Sequence, residues 1–260
     1  MTDQKPESSI GIGIIDVYGP EELEKCYNSI PEHLKQHVEI VSNTASKPVF
    51  GMTVKYFDKE VPPATLRNYL LAELRVQEYK HLFLIHSNVE ITDPKVFENT
   101  VKTAETFGTW FILGPGANSV PIEDDEAGVT LHLTPELNDN FLYLYTGVIK
   151  NNGYFDERFV NSKNLDVLDY ILKLRKKGIY TPAHYNPSIE EGITISTAEN
   201  KKIGFLDMPN SDRSVQLSYA FFAYTHKYIP GQNEPPGVTQ EQLLQAVEFL
   251  QKNYAKKNIL

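Results

Sequence analysis

Three polar residues, His86, Ser87 and Asn88, directly follow the apolar run of residues 82–85. A short apolar run of this kind is typical of a buried strand, so the three polar side chains are expected at its carboxyl end. Open α/β sheets bind their ligands in the crevice at the carboxyl ends of the strands. The triplet is therefore the first candidate for a ligand-binding site.

The elements around the triplet alternate between strands and helices. The sequence predicts strands at residues 10–17, 38–41, 81–85 and 110–113, and helices at 64–79, 94–107 and 164–178. It also predicts a strand-like segment at 141–149, a strand at 180–184, a hairpin or loop at 51–61, and irregular segments at 117–140 and 185–215. This alternation indicates an α/β sheet that is mostly parallel in the first half of the chain.

Length and composition limit the class of protein. The chain has 260 residues, of which 41% are hydrophobic, enough for one large domain with its own core. We expect a disordered tail at residues 1–9, the main domain at 10–228, and a linker with an amphipathic helix at 229–260. The net charge of −9 and the pI of about 5.3 indicate no basic face for nucleic acid, although an acidic protein can carry a local basic patch.

Three features indicate the cell compartment. The chain has a single cysteine, Cys26, so it forms no internal disulfide, which favours a reducing compartment. Residues 1–9 are polar and lack the apolar region of a signal peptide. No apolar run reaches the ~18 residues of a membrane span. We therefore expect a soluble, cytoplasmic protein, with Cys26 in the core rather than acting as a nucleophile.

Six sequence blocks occur in a fixed order between residues 10 and 184, each on a fitting predicted strand or helix: IIDVYGPEEL, EIVSNT, LRN, LIHSNVEI, GYFDERF and DVLDYILKLRKKG. In these blocks the chain resembles the family 2-type glycosyltransferases, which move a sugar from a nucleotide-sugar donor. The resemblance implies the GT-A fold of nucleotide-diphospho-sugar transferases, a Rossmann-like mixed sheet flanked by helices. Here the fold would carry a C-terminal helical extension.

The resemblance implies a divalent cation at the triplet, because most members hold one there with an Asp-x-Asp pair. In this chain His86 and Asn88 replace the two acids. Asn offers only a neutral carbonyl oxygen, and His suits Mn²⁺ better than Mg²⁺. A third metal ligand is implied at His184. This residue stands at the end of the predicted strand 180–184, which follows the predicted helix 164–178. Three interpretations are open: a weaker Mn²⁺ site, a metal-independent transferase, or an inactive relative.

The resemblance also implies that the nucleotide-sugar donor lies across the ends of the first two strands. Asp16 and Tyr18 would stand beside the base, with the triplet, including Ser87, nearby. Asn43 stands where family members have an acid that accepts from the ring N–H of uracil, and its amide oxygen can accept the same bond. A UDP-sugar is therefore the expected donor. Arg67 would neutralise the diphosphate by a forked contact.

An inverting transferase needs a general base beside the acceptor hydroxyl. The resemblance assigns this base to the start of the predicted helix at 164–178. Asp166 and Asp169 are three residues apart there, so they are expected to share one face of the helix. Asp166 is the preferred base, because the N-terminus of a helix stabilises a carboxylate. Asp169 is the second candidate.

Two other functions are open on the sequence alone. A catalytically silent GT-A module would bind a glycan, a nucleotide or a protein partner, and the loss of the two acids favours this alternative. A phage-type sugar transferase would act on a modified DNA base. The acidic charge balance disfavours that activity, although residues 173–177 and 252–257 are locally basic. The acceptor is accordingly open among a glycan, a protein, a lipid and a modified DNA base.

Overall fold

The computed structural model describes residues 9–43, 53–57, 61–134, 137–159, 164–177, 183–196 and 224–226. The predicted tail at residues 1–9 lies outside this set except for Ser9, and the predicted linker and helix at 229–260 lie outside it entirely. Within the described ranges, no helix is long and apolar enough to cross a membrane.

Helices are interspersed among the strands in the first part of the chain. The strands are β1 (Ile10–Asp16), β2 (Val38–Ser42), β3 (Val54–Tyr56), β4 (His81–His86), β5 (Val89–Ile91), β6 (Phe111–Ile112), β7 (Val120–Asp124), β8 (Val129–Leu133), β9 (Phe141–Tyr145), β10 (His184–Tyr185) and β11 (Ile193–Ile195). The helices are α1 (Pro20–Ser29), α2 (Pro63–Val76), α3 (Val96–Phe107), α4 (Thr146–Asn152), α5 (Leu165–Lys176) and α6 (Pro187–Gly192), with a 3-10 helix at Glu32–His37.

The central sheet has six strands in the order β3-β2-β1-β4-β9-β6. The strands β3, β2, β1 and β4 are parallel to one another, whereas β9 runs antiparallel to both β4 and β6. A three-stranded sheet, β10-β8-β7, and a two-stranded pair, β11-β5, lie beside it. The predicted mixed α/β sheet with a parallel first half is thus confirmed.

The strand β1 lies in the middle of the sheet and is buried over its whole length. Its alternation of isoleucine and glycine suits two different faces, because Ile12 and Ile14 pack in the same core as α1 while Gly13 faces α2. A Cβ atom at Gly13 would come within 2.9 Å of Leu70. The missing side chain therefore lets α2, which carries Arg67, lie directly against the strand.

Helices cover both faces of the central sheet. On the face that we call the α1 side, α1 and α3 pack together with β5, β8 and β11 around residues such as Leu23 and Phe97. On the opposite face, the α2 side, α2, α4 and α5 pack around residues such as Leu70, Val148 and Tyr170. The α1 side and the α2 side carry separate hydrophobic cores. A side chain at the end of a strand therefore lies on one side of the sheet or on the other.

Several segments differ from the sequence prediction. The irregular segment predicted at 117–140 contains the hairpin β7–β8, whose strands bury only one face and so carry a weak apolar pattern. The strand-like segment at 141–149 is divided between β9 and α4, since a short apolar run does not distinguish a strand from a helix. Parts of 51–61 and 185–215 form β3, α6 and β11, and the strand predicted at 180–184 is described only from residue 183.

Candidate functional site

The carboxyl ends of β1, β2 and β4 meet around the buried carboxylate of Asp16. Its two oxygens accept hydrogen bonds from the backbone N–H of Gly19 (2.9 Å), the hydroxyl of Ser42 (2.8 Å) and the hydroxyl of Ser87 (3.0 Å). We call these four residues the Asp16 network. All three donors are neutral groups of the protein. The network ties three strand ends together, and any contact of Asp16 with a nucleotide base would come in addition to these bonds.

A buried ion cluster lies beside this edge on the α2 side of the sheet. The two terminal nitrogens of Arg67 donate one to Asp166, in the first turn of α5, and the other to Asp139, which precedes β9. His86, the last residue of β4, places its Nε2 3.8 Å from Oδ2 of Asp139. We call these four residues the Arg67 cluster. Arg67 is only 1% exposed, so its charge is compensated by protein carboxylates rather than by solvent.

These contacts change the interpretation of Arg67. The sequence predicted a forked contact with the donor diphosphate, but the guanidinium makes its forked contact with two carboxylates of the protein. The planar N–H groups of Arg67 can pair with the phosphates of a donor or with carboxylates of the protein. Releasing Arg67 to a diphosphate would take away the cation that pairs with both buried carboxylates, Asp139 and Asp166, which is strongly unfavourable. The geometry therefore favours Arg67 as the group that holds these two carboxylates.

The cluster shifts the acid strength of its members. Burial raises the pKa of Asp166, the charge of Arg67 lowers it and the charge of Asp139 raises it again, with a net shift upward. Burial lowers the pKa of Arg67, but the two carboxylates outweigh this effect and raise that pKa, so the guanidinium stays charged. A carboxylate with a raised pKa takes up a proton more readily than an exposed one, which is a property that a general base needs.

His86 and Asn88 lie on opposite sides of the sheet, although they are only two residues apart. His86 is on the α2 side, near Asp139 and the ring of Tyr18, whose centroid is 6.4 Å from its own. Asn88 is on the α1 side, where it lines a cavity with residues of α1 and β11. A turn at residues 87–88 separates β4 from β5 and breaks the strand alternation. The two positions that replace the Asp-x-Asp pair therefore do not converge.

His184, the predicted third metal ligand, is directed elsewhere. Its Nε2 is 2.7 Å from the hydroxyl of Thr109. Thr109 precedes β6, and both β6 and β4 run antiparallel to β9, so Thr109 lies at the opposite end of the sheet from His86. In the described part of the chain, no group of three or more His, Cys, Asp and Glu side chains could hold a metal ion. The predicted ligands His86, Asn88 and His184 thus do not form a cation site together.

Asn43, the predicted partner of uracil, is bonded to a neighbouring segment. Its Oδ1 accepts from the backbone N–H of Val61 (3.1 Å), and its Nδ2 donates to the carbonyl of Val61 (2.8 Å). The two bonds tie the end of β2 to the residues that lead into α2. Contact with a nucleotide base would have to replace or share these bonds, and it stays a prediction.

Asp166 and Asp169 share a helix but not an environment. Oδ1 of Asp169 is 2.8 Å from Nε2 of His226, and its Oδ2 is 2.7 Å from Nζ of Lys173. Lys173 also lies 3.2 Å from Asp156, in the FDERF segment. Asp169 therefore joins α5 to that segment and to His226. Of the two predicted bases, only Asp166 is joined to the edge of the sheet that carries the triplet.

Comparison with solved structures identifies the fold. The crystal structure of GalNAc-T7 with UDP, GalNAc and Mn²⁺ matches with a TM-score of 0.58 and 8% sequence identity, over 96% of this chain and 55% of that chain. This chain has the GT-A glycosyltransferase fold. The predicted fold class is confirmed, and the triplet stands at the carboxyl end of β4 as predicted. The GT-A chain described here spans about half the length of that GalNAc-T7 chain.

Two other solved structures are similar at lower scores. The crystal structure of residues 1–349 of S. aureus TarS gives a TM-score of 0.48 at 14% identity, over 96% of this chain and 75% of that chain. The mannosyltransferase PcManGT from Pyrobaculum calidifontis, in complex with GDP-Man and Mn²⁺, gives 0.41 at 11% identity, over 57% and 48% of the two chains. No protein-family model matches the chain studied, and no curated protein matches its sequence.

Sequence reasoning missed Asp139. It stands in a segment predicted to be irregular, two residues before β9. Because β9 runs antiparallel to β4, the start of β9 lies beside the end of β4, and the N–H of His86 donates to the carbonyl of Asn140. An acid that directly precedes an apolar strand is a weak signal. It points to the site only when the direction of that strand in the GT-A sheet is known.

Proposed function

We propose that this protein is an inverting glycosyltransferase that transfers a sugar from a nucleotide-sugar donor, with a UDP-sugar as the expected donor, to an acceptor hydroxyl. The observation that carries the proposal is the Arg67 cluster at the carboxyl edge of a GT-A sheet. Open α/β sheets bind their ligands at this edge. Buried ionisable groups with shifted pKa values are concentrated at functional sites, and Asp166 is such a group.

Asp166 is the proposed general base. It takes the proton of the acceptor hydroxyl while that oxygen bonds to the anomeric carbon of the donor sugar. The bond between this carbon and the nucleotide diphosphate breaks at the same time, and the diphosphate leaves with the electron pair. The upward shift in the pKa of Asp166 supports the role, and its bond to Arg67 orients the carboxylate.

The donor is proposed to lie across the ends of β1, β2 and β4. Tyr18 supports this position, because its partly buried ring lies next to His86 at the same edge. The Asp16 network, which includes Ser87, would form the floor of the donor site. Asn43 would shape its wall through the bonds to Val61. In this proposal, His86 and Tyr18 are the side chains nearest to the donor.

The proposal includes no step through a metal ion. The predicted ligands are dispersed, with His86 near Asp139, Asn88 on the α1 side and His184 bonded to Thr109. An Mn²⁺ or Mg²⁺ site needs several oxygen or imidazole ligands that converge, and the described residues contain no group of three or more His, Cys, Asp and Glu side chains that could hold such an ion. We therefore expect donor binding to depend only weakly on a divalent cation, with Mn²⁺ more effective than Mg²⁺.

A catalytically silent GT-A module that binds a nucleotide, a glycan or a protein is the second candidate. The observation that favours it is the saturation of the Arg67 cluster, in which Asp166 is 4% exposed and already paired with Arg67. An acceptor hydroxyl would have to reach this carboxylate for transfer to occur. A silent module that binds a nucleotide would bind the donor without consuming it, so in that case the two candidates differ in turnover and not in donor binding.

A thermal-unfolding panel tests the proposed function. The protein is heated with UDP-, GDP-, CMP- and dTDP-sugars, each with and without Mn²⁺. A ligand present at 100 times its Kd stabilises the folded state by about 2.7 kcal/mol, so a true donor raises the Tm. We expect a UDP-sugar to raise the Tm with little dependence on Mn²⁺. Release of UDP from that donor, measured over hours, separates a transferase from a silent module that binds the donor, and a panel in which no nucleotide-sugar raises the Tm contradicts the transferase.

A further inference from the structure

The proposed reaction uses Asp166 and gives no role to Asp139, although the same guanidinium binds both carboxylates. Nη1 of Arg67 donates to Oδ2 of Asp166, and Nη2 donates to Oδ2 of Asp139. The side chains of Arg67 and Asp166 are buried, and that of Asp139 is 12% exposed. One carboxylate is enough to neutralise one guanidinium, so Asp139 adds an excess negative charge to a buried pair. Burying such a charge costs stability, and the pairing of Arg67 does not require it.

The backbone on both sides of Asp139 is anchored before β9 begins. On one side, the Nδ2 of Asn138 donates to the carbonyl of Pro115, which follows β6, at 2.9 Å. On the other side, the carbonyl of Asn140 accepts from the backbone N–H of His86, the last residue of β4, at 2.9 Å. These bonds belong to the neighbours of Asp139, so they place its carboxylate without occupying its oxygens.

The guanidinium of Arg67 is held in place as well. Its Cζ lies 5.6 Å from the centre of the ring of Phe155. Asn68, the next residue of α2, fixes Phe155, because its Oδ1 accepts from the backbone N–H of Phe155 (2.8 Å) and its Nδ2 donates to the carbonyl (2.9 Å). A planar guanidinium held in this way spans two carboxylates and does not turn toward one of them. The presence of Asp139 therefore determines how much of the positive charge is left for Asp166.

The acid strength of Asp166 depends on three neighbours. They are the guanidinium of Arg67 on α2, the carboxylate of Asp139 and the backbone N–H of Val167. Burial is the largest effect and raises the pKa of Asp166, the charge of Arg67 lowers this pKa, and the charge of Asp139 raises it. Without Asp139, Arg67 would pair with Asp166 alone and lower the pKa of Asp166. A general base with a lower pKa takes the proton of an acceptor hydroxyl less readily.

We propose that Asp139 is a positioning residue for the transfer reaction, because it prevents exclusive pairing of Arg67 with Asp166 and so keeps Asp166 available as the base. The inference rests on the proposed function, in which Asp166 takes the proton of the acceptor hydroxyl. Asp139 acts through Arg67 and Asp166 and needs no contact with the substrate. Its nearly buried position is therefore compatible with this role.

Carbon NMR of protein with isotope-labelled aspartate carboxyl groups tests the inference without any substrate. The signal of Asp166 is identified by its absence in Asp166→Asn and is followed over the pH range in which the protein is folded. In Asp139→Asn, Asp166 is expected to titrate at a lower pH than in the wild type, because the neighbouring negative charge is gone. Asp139→Glu retains that charge, so its titration should lie closer to that of the wild type. Asp125→Asn removes an exposed carboxylate of the β7–β8 turn and should leave the titration unchanged.

Turnover gives a second measurement. The base is inactive when it is protonated, so the acid limb of the kcat/KM profile follows the titration of Asp166. In Asp139→Asn this limb is expected to move to lower pH, and kcat at the plateau should fall about tenfold, less than the loss expected for Asp166→Asn. KM for the donor should change much less than kcat. Asp139→Ser removes the same charge with a smaller side chain and provides the same test if Asp139→Asn does not fold.

The outcomes separate this inference from the proposed function. A titration of Asp166 that moves to lower pH in Asp139→Asn and returns toward the wild type in Asp139→Glu supports the inference. An unchanged titration in Asp139→Asn overturns it, as does full turnover in Asp166→Asn together with an inactive Asp139→Asn. The NMR titration needs no donor, so the two proposals fail separately. A shifted titration in a chain that transfers no sugar removes only the proposed function, and an unchanged titration in an active transferase removes only this inference.

Discussion

The Asp16 network and the Arg67 cluster bury carboxylates at the same edge of the sheet in different ways. Asp16 is surrounded by three neutral donors, each contributed by a different strand end or turn. Asp139 and Asp166 share one guanidinium, which comes from a helix. In the network, the negative charge of the carboxylate is stabilised by several hydrogen bonds. In the cluster, the negative charges of two carboxylates are stabilised by a single side chain. Loss of one partner should therefore cost much less in the network than in the cluster.

The same difference matches the proposed roles, a structural one for Asp16 and a chemical one for Asp166. The bonds of Asp16 lock it between β1, β2 and β4, as expected for a residue that sets the shape of the edge. Asp166 has a raised pKa and belongs to a chain of ionisable groups that ends at His86. The comparison therefore predicts large effects on turnover from the cluster and modest effects on stability from the network.

The largest effect is expected from Asp166→Asn, which keeps the shape of the side chain and removes its basicity. Loss of a general base lowers the rate by about 10²–10⁴-fold. Turnover, measured as UDP release in the presence of acceptor, should fall by this factor while donor binding is retained. Asp169→Asn is the matched control, since Asp169 pairs with His226 and Lys173 away from the edge of the sheet. Full activity in Asp166→Asn together with an inactive Asp169→Asn would transfer the role of base to Asp169.

The next effect is expected from Arg67→Ala, which leaves two buried carboxylates without their cation. Breaking a buried ion pair in this way costs about 3–5 kcal/mol. The free energy of unfolding, measured by urea denaturation, should fall by that amount. Arg75→Ala removes an exposed arginine from the same helix and should change stability by no more than about 0.5 kcal/mol.

A conservative variant keeps this prediction testable if Arg67→Ala does not fold. Arg67→Lys retains the charge but cannot reach Asp139 and Asp166 with a planar fork. Its stability should lie between those of the wild type and the alanine variant. A stability equal to that of the wild type in either Arg67 variant would show that the cluster does not depend on the guanidinium.

The smallest effect is expected from Asp16→Asn. The amide retains one acceptor oxygen, and the hydroxyl groups of Ser42 and Ser87 can rotate to accept from its new N–H group. The negative charge of the Asp16 carboxylate is lost, so the free energy of unfolding should fall by about 1–2 kcal/mol. Asp125→Asn, at an exposed position in the β7–β8 turn, serves as the control. A loss as large as that of Arg67→Ala would remove the distinction between the two regions.

The sequence predicted the fold better than the site. The apolar run before the triplet correctly indicated β4, and the alternation of elements indicated the parallel half of the sheet. The hairpin β7–β8 was missed because its strands bury only one face, and Asp139 was missed with the segment around it. His86 and Asn88 were expected to share one metal site, and the turn at 87–88 places them on opposite sides instead.

Local periodicity and turn residues were enough to predict most of the strands and helices of the first half of the chain, because these preferences depend on neighbouring residues. The sequence by itself therefore predicted an α/β sheet and the polar end of β4, and the GT-A class came from the resemblance of six sequence blocks to the family 2-type glycosyltransferases. Only the tertiary structure decided which charges meet. Arg67 is 72 residues from Asp139 and 99 residues from Asp166 along the chain, and the three meet through strand order and the antiparallel direction of β9. Contacts between such distant segments follow from packing, which a periodic pattern does not encode.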